Sequence, residues 1–527
     1  MRAINVILAI LVSLTIALGI FEVGFRLIGF APAKTLNQFD ETLGWVKRSD
    51  SSTSRSTSEF DVTFTVNSFG LRDDEMASPQ KPEGTFRVIC LGDSFTLGFT
   101  VEREDLFVDQ LERKWNAEGR KVDVINTGTE GYSTDQEAVW LMENGDAFQP
   151  DLVLLFPYDN DIYWNSQTSY FGRSKPRFDS TGKLDHGGPF AAPDAAGLEK
   201  SLALANFWNK MFGSKPESQL YTPEAGTGPI LKEHAPLILP PTGFVTDSVT
   251  RTGGALMALQ QTCKDLGATL VVVPIPSHSA IDEAFAVQFG PAALGIENRE
   301  DWMPDAPLNT VLELCAMNGI ATLDAREALK AAMQETGQSM YFQKDWHLNP
   351  AGNLAFAEFL DRSLVDMGVF SADHAATAEA TIAGLRDSQA PEQPMPPWIR
   401  YFLGLWVVLT TIYFGTYPEE SKWQPPLKVG AMLALIFTIV IGGNALLAMA
   451  PPQVAKAVLI LFVVWLLSFI LYKLGHRLGT IFELLKSFTL RGHWYLMPLV
   501  VVLLSIGSLL VVAASSPLVA PFIYTLF

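Results

Sequence analysis

Apolar runs long enough to cross a bilayer stand at both ends of this 527-residue chain, and the stretch between them has the composition of a globular domain. A helix needs about 20 predominantly apolar residues to cross the hydrocarbon core. Residues 4–21 form the first such run, interrupted only by Ser13 and Thr15. Four more lie near residues 401–417, 429–449, 454–472 and 495–513. The pattern predicts one N-terminal and about four C-terminal transmembrane helices around a globular middle. For the first run the alternative is a cleaved signal peptide, whose apolar core is shorter and followed by a small-residue cleavage site. Phe21, Val23, Phe25 and Leu27 continue the apolar character, so residues 1–27 read as an uncleaved anchor.

Basic residues choose the orientation, because loops rich in Lys and Arg stay in the cytoplasm. Lys473, Arg477, Lys486 and Arg491 crowd one loop, and Lys422 and Lys428 sit in another. Both loops are cytoplasmic if the N-terminus is cytoplasmic and the globular middle extracytoplasmic. The expected location is therefore a membrane, that of a bacterial inner membrane with a periplasmic domain. Residues 474–490 read as an amphipathic helix on the inner surface or as an ordinary linker helix. Asn444 is a polar residue inside a span, where a helix–helix hydrogen bond is the common role.

Net charge is −18, and its distribution excludes one class of partner. After residue 396 there are eight basic and three acidic residues, 8 − 3 = +5, so the remainder carries −18 − 5 = −23. A domain that acidic is no partner for nucleic acid, whose phosphates need concentrated Lys and Arg. Cys90, Cys263 and Cys315 are too few and too far apart for a disulfide framework or a thiolate zinc site. A Cys263–Cys315 bridge is the lesser reading beside buried thiols. His186, His234, His278 and His374 lack ligand spacing, so no metal and no cofactor is expected.

From Thr85 the chain alternates short β-branched runs with amphipathic segments. Strands are expected at residues 86–91, 122–126, 152–156, 268–274 and 321–324. Helices are expected at 104–115, 134–148 (capped by Ser133 or Thr134), 253–266, 308–317 and 349–367. Such alternation means a parallel sheet with helices on both faces. Residues 162–248 break it as a long insertion rich in Gly, Pro and aromatic residues. Two readings of its aromatics stand, packing within the insertion and stacking on sugar rings. Residues 28–84 read as a small β-rich lead-in to a domain over 85–370. Residues 371–397 read as an Ala-rich helix and a Pro-rich linker into a membrane domain over 398–527.

Open parallel sheets bind ligands beyond the carboxyl ends of their strands. Gly92-Asp93-Ser94 follows the first strand, Asn126-Thr-Gly-Thr-Glu-Gly131 the second, and Tyr158-Asp159-Asn160-Asp161 the third. Asp345-Trp346-His347 precedes the last helix. Asp159 and Asp161 read as loop-capping residues. A metal phosphatase would want clustered carboxylates where the first strand offers one Asp beside a serine.

Taken together, these blocks resemble the SGNH (GDSL-like) hydrolases. Val88-Ile-Cys-Leu-Gly-Asp-Ser-Phe-Thr-Leu-Gly98 resembles the first block of that family, Gly131 matches the second, Asn160 the third, and Asp345 with His347 the last. Asn67-Ser-Phe-Gly-Leu-Arg72 is similar to a stretch before the sheet in membrane-tethered members. One departure is plain: the usual last block has two residues between Asp and His, and this chain has one. The resemblance spans roughly residues 43–367. It implies an SGNH-hydrolase-like (flavodoxin-like) α/β fold, with Ser94 as nucleophile, His347 as its base and Asp345 orienting the imidazole. It further implies an oxyanion hole made of the Ser94 N–H, the Gly131 N–H and the Asn160 amide. Ser516-Pro-Leu-Val-Ala-Pro-Phe-Ile-Tyr-Thr-Leu-Phe527 resembles the end of small membrane proteins of unknown function that accompany carbamoyltransferases.

The expected function is therefore a membrane-anchored extracytoplasmic esterase that removes O-acyl groups, acetyl above all, from an envelope glycan or a small ester. Beside the lipid bilayer, other envelope-modifying membrane proteins are the expected partners. Two rivals remain: O-acyl transfer by the same residues, and a non-catalytic glycan-binding scaffold.

Overall fold

In the computed structural model the described residues are 36–192, 202–205, 220–222, 230–289 and 299–370, apart from a few single positions, with short fragments at 15–22, 402–414 and 421–434. The chain divides into two compact units, one of residues 33–196 and 214–394, the other of residues 1–32, 197–213 and 395–527. Most of the expected anchor and of the four expected C-terminal spans, the 371–397 segment, the 474–490 helix and Asn444 lie outside the described residues. Among the described residues no helix is long and apolar enough to cross a membrane. In the second unit Tyr413, Val429, Met432 and Leu433 form a small buried cluster.

The first unit begins with two antiparallel hairpins. β1 (Asn37–Asp40) pairs with β2 (Gly44–Lys47), and β3 (Ser51–Ser56) with β4 (Asp61–Val66). β4 alternates exposed and buried residues along its length, the period-two mark of a strand with one covered face. The central sheet follows: β5 (Phe86–Gly92), β6 (Val122–Asn126), β7 (Leu152–Phe156), and later β14 (Thr269–Val272) and β15 (Ala321–Thr322). Its spatial order is β15-β14-β7-β5-β6, and every pairing is parallel. Numbered along the chain this is 2-1-3-4-5, the doubly wound order, and it puts the topological switch point between β5 and β7.

Both faces of the sheet are covered, which is why its strands read as continuous apolar runs. Val88, Cys90, Val124, Leu154 and Val271 pack with α2 (Phe107–Ala117) and α10 (Pro350–Asp366) through Phe107, Leu111, Trp115, Phe356 and Leu360. The alternate residues Ile89, Leu91, Ile125, Val153 and Val272 face α3 (Thr134–Phe148), α5 (Gly243–Leu266) and α8 (Ala306–Met317). Trp115 is fully buried, and its indole N–H is satisfied by Asp361 Oδ1 at 2.9 Å. Cys90, Cys263 and Cys315 are free thiols, each buried.

Several sequence expectations are corrected. The helix after β5 starts at Phe107, not residue 104, because residues 103–105 form a 3₁₀ turn. Ser133 is the cap position of α3, but its hydroxyl donates to Asp135 Oδ1, and Asp135 accepts the Gln136 N–H. α9 (Arg326–Thr336) was not expected, and β15 is two residues long. The insertion ends before residue 243, since α5 begins there, ten residues before the expected start. Its first part is rich in Thr, Ser and Val, poor helix formers. The hydroxyls of Ser248, Thr250 and Thr252 bond back to the carbonyls four residues earlier, and packing against the sheet decides the conformation. Before it come α4 (Asp161–Trp164) and the short strands β8 (Ser169–Tyr170), β9 (Arg173–Ser174), β10 (Arg177–Phe178), β11 (Leu184–His186), β12 (Leu220–Tyr221) and β13 (Ile230–Leu231), paired as three hairpins.

Candidate active site

Ser94 stands where β5 ends and α1 (Ser94–Leu97) begins. Asp93 caps that turn by accepting the Phe95 N–H at 2.9 Å, which fixes the residue beside it. Ser94 Oγ lies 2.8 Å from His347 Nε2 and 3.4 Å from Asp93 Oδ2, so the imidazole is the stronger partner. The other ring nitrogen, Nδ1, lies 2.6 Å from Asp345 Oδ1. The three residues thus form a chain from carboxylate to imidazole to hydroxyl across 253 positions of sequence.

The one-residue spacing of Asp345 and His347 is made possible by Trp346, which adopts a left-handed backbone at φ 67°. That conformation costs about 1–3 kcal/mol in a bulky residue and persists only where its surroundings hold it. Trp346 packs edge-on against Phe289 at 4.4 Å, and its indole N–H donates to the Gln343 carbonyl. The imidazole of His347 lies against Phe95, ring centroids 4.3 Å apart. Burial pushes the Asp345 carboxyl up, but its bond to His347 and the Arg55 guanidinium outweigh this and hold it below the usual range. Asp93 goes the other way: burial raises it to about 6 despite the Phe95 N–H and the neighbouring His347.

Gly131 follows β6 and Asn160 follows β7, so with Ser94 they stand at the carboxyl ends of the sheet's three adjacent strands β6, β5 and β7. Gly131 has φ 75°, and a Cβ there would meet the Tyr170 ring at 2.7 Å. Only glycine fits both demands. Among the described residues no acceptor takes the backbone N–H of Ser94 or of Gly131. Among the described residues the side-chain amide of Asn160 likewise has no protein partner, and its Oδ1 is buried without one. Asp161 accepts the Tyr158 N–H at 3.4 Å, a loop contact, and neither it nor Asp159 bonds to Ser94 or His347. The open recess beside Ser94 and His347 is walled by Phe95, Phe99, Val101 and Leu348. Among the described residues no group of three His, Cys, Asp or Glu is placed to hold a metal ion.

Several residues that hold the site were not identified from sequence. Arg72 is buried and donates to the carbonyls of Leu97, Gly98 and Val101, closing the loop behind α1. In β2, the Trp45 indole donates to the Glu130 carbonyl at 3.2 Å, and Lys47 pairs with the Glu130 carboxylate. These contacts fix the segment that presents Gly131. The Asn67–Arg72 stretch carried a sequence signal, whereas nothing in the sequence singled out Trp45 or Lys47.

Behind the site lies a store of buried acids. Burial raises Asp73 to about 8, Glu112 to about 7 and Asp159 to about 7. Each keeps its proton in the folded chain at a pH where the unfolded chain, titrating near 4, has lost it. Stability from these groups is therefore full below about pH 4 and is lost as pH rises toward 8. His278, lowered to about 4 by burial, acts oppositely, but only below its ordinary value near 6.5. Between pH 6.5 and 8 the carboxyl groups dominate, so the melting temperature should fall by roughly a few degrees across that interval. Thermal unfolding followed by tryptophan fluorescence checks this, and a flat or rising profile would show that these acids are ionised in the fold.

By sequence, a family of unknown function (DUF5989) matches residues 478–527. No curated protein matches the chain. Among solved structures, the chain is similar to the acetyl xylan esterase AlAXEase at 12% identity and TM-score 0.29, over 53% of this chain and 100% of that one. It is similar to a lipase/acylhydrolase from Enterococcus faecalis at 14% identity and TM-score 0.29, over 54% and 96% of the two chains. It is also similar to a lipolytic G-D-S-L family protein from Veillonella parvula at 14% identity and TM-score 0.28, over 53% and 98%.

Proposed function

We propose that this protein is a serine-dependent carboxylic ester hydrolase that removes short O-acyl groups, acetyl above all, from an envelope glycan. The observation that carries the reading is the continuous hydrogen-bonded chain from Asp345 through His347 to Ser94 Oγ, at 2.6 and 2.8 Å. A serine hydroxyl is a weak nucleophile until a base takes its proton. In the proposed reaction Ser94 Oγ attacks the ester carbonyl carbon while His347 Nε2 accepts the proton. Asp345 holds the imidazole in the tautomer with its proton on Nδ1 and stabilises the imidazolium. The oxyanion is received by the N–H groups of Ser94 and Gly131 and by the Asn160 amide. Collapse expels the alcohol, which takes the proton from His347 and leaves an acyl-Ser94 ester. Water, deprotonated by His347, then releases the acid and restores the serine.

The recess beside Ser94 and His347 is small and walled by apolar side chains, which favours a short acyl group. The extracytoplasmic location rests on the basic residues after Tyr472, which the positive-inside rule assigns to the cytoplasm. The test supplies an acetyl ester donor, with and without a glycan acceptor, first to intact cells and then to the purified protein. Fast acid release that the acceptor leaves unchanged supports hydrolysis, whereas acetylated glycan with slow acid release would show transfer. Turnover only after lysis would refute the outward orientation, and no turnover by the pure protein would leave a binding scaffold.

A further inference from the structure

The hairpin β3–β4 lies about 290 residues before the last catalytic block, yet its side chains contact Asp345 and the residues just before it. Arg55, near the end of β3, donates from Nη2 to Asp345 Oδ2 at 2.9 Å. Its guanidinium lies over the Phe99 ring at 3.9 Å and over Phe60 at 4.9 Å, and these two ring contacts restrain it. At the hairpin turn the Glu59 carboxylate accepts three consecutive backbone N–H groups, those of Gln343, Lys344 and Asp345, at 2.8 to 3.1 Å. Phe60 packs on Phe342 at 5.2 Å between ring centroids. The hairpin therefore grips both the backbone of the loop that carries Asp345 and the carboxylate itself.

We propose that Arg55 is a positioning residue for the Ser94 reaction, locking the rotation of the Asp345 carboxylate so that Oδ1 faces His347, with Glu59 holding the loop beneath. The proposal rests on the esterase reading. A carboxylate with only one fixed oxygen can swing about its last bond. Here Oδ1 is held by His347 and Oδ2 by Arg55, and among the described residues no other side chain bonds to Oδ2. Trp346, in its left-handed conformation between the two catalytic residues, makes this brace necessary, because the loop has little preference of its own for the geometry. Arg55 is about one-third exposed, so its ion pair adds little to folding stability. Its effect is expected in the chemical step.

Arg55→Gln should lower kcat on the order of 10-fold, and at most about 10², the loss that a 1 Å misplacement brings. KM should stay within about two-fold, because Arg55 does not line the recess and reaches it only through Asp345 and the Phe99 ring. The melting temperature should stay unchanged, and Arg55→Lys should recover most of the lost rate. In an Asp345→Ala background Arg55→Gln should have no further effect, since both changes remove one unit. An undiminished kcat, an additive double variant or an Arg55→Gln protein that fails to fold would each overturn the proposal. The low-field proton resonance of His347 Nδ1–H reports the same geometry without turnover. It should broaden or move upfield in Arg55→Gln and return in Arg55→Lys, and an unchanged resonance counts against Arg55. Absence of any ester turnover would sink the functional reading and still leave this signal to judge the brace.

Discussion

Ser94→Ala is expected to lower ester turnover by on the order of 10⁵-fold or more, leaving only what the oxyanion donors and substrate binding supply. The size follows from the mechanism, since without Oγ there is no acyl-enzyme path and His347 has no nucleophile to deprotonate. The fold should survive, because the hydroxyl's protein contacts are to His347 and Asp93, not to the hydrophobic core. Melting should stay within about 1 kcal/mol of wild type. A serine-directed phosphonate should label wild type once, at Ser94, and leave the alanine variant unlabelled. Full activity of that variant, or labelling at another serine, would remove Ser94 from the reaction.

The elements that carry chemistry were legible because the sheet makes them so. An apolar run buried on both faces must end in a polar turn, and Gly92-Asp93-Ser94, Asn126–Gly131 and Tyr158–Asp161 are those turns. Their order along the chain gave adjacent strand ends once the connections were taken as parallel crossovers. The pairing of Asp345 with His347 was open in the sequence, because the one-residue spacing departs from the usual block, although two residues two positions apart share a loop. What was not legible is long-range. Arg55 sits in a run of Ser and Thr that reads as an exposed strand edge, and its ion pair lies 290 positions away. The start of α5 was missed because Thr, Ser and Val argue against a helix that burial of Val245, Ser248 and Thr252 then imposes. The same holds for Lys47, whose buried side-chain nitrogen only makes sense beside Glu130 and Asn37.

Asn160→Ala should separate stability from catalysis. An oxyanion donor does its work where negative charge develops, so its removal lowers kcat by about 10² to 10³ with a smaller change in KM. In a residue that serves packing or loop structure, truncation would instead cost stability. Asn160 is placed for the first outcome. It is the cap residue of the four-residue helix α4, yet its side chain makes no capping bond, and its Oδ1 is buried without any partner. Truncation to alanine therefore removes no hydrogen bond that holds the fold. The variant is expected to melt close to the wild-type temperature while turning over ester far more slowly. Asn160→Asp sharpens the point, because a carboxylate of nearly the same shape repels the oxyanion and should be no better than alanine. Steady-state kinetics on a small acetyl ester, run beside thermal unfolding of the three proteins, decides it. A rise in KM at unchanged kcat would make Asn160 a substrate-binding residue. A fall in melting temperature that accounts for the lost rate would make it a structural one.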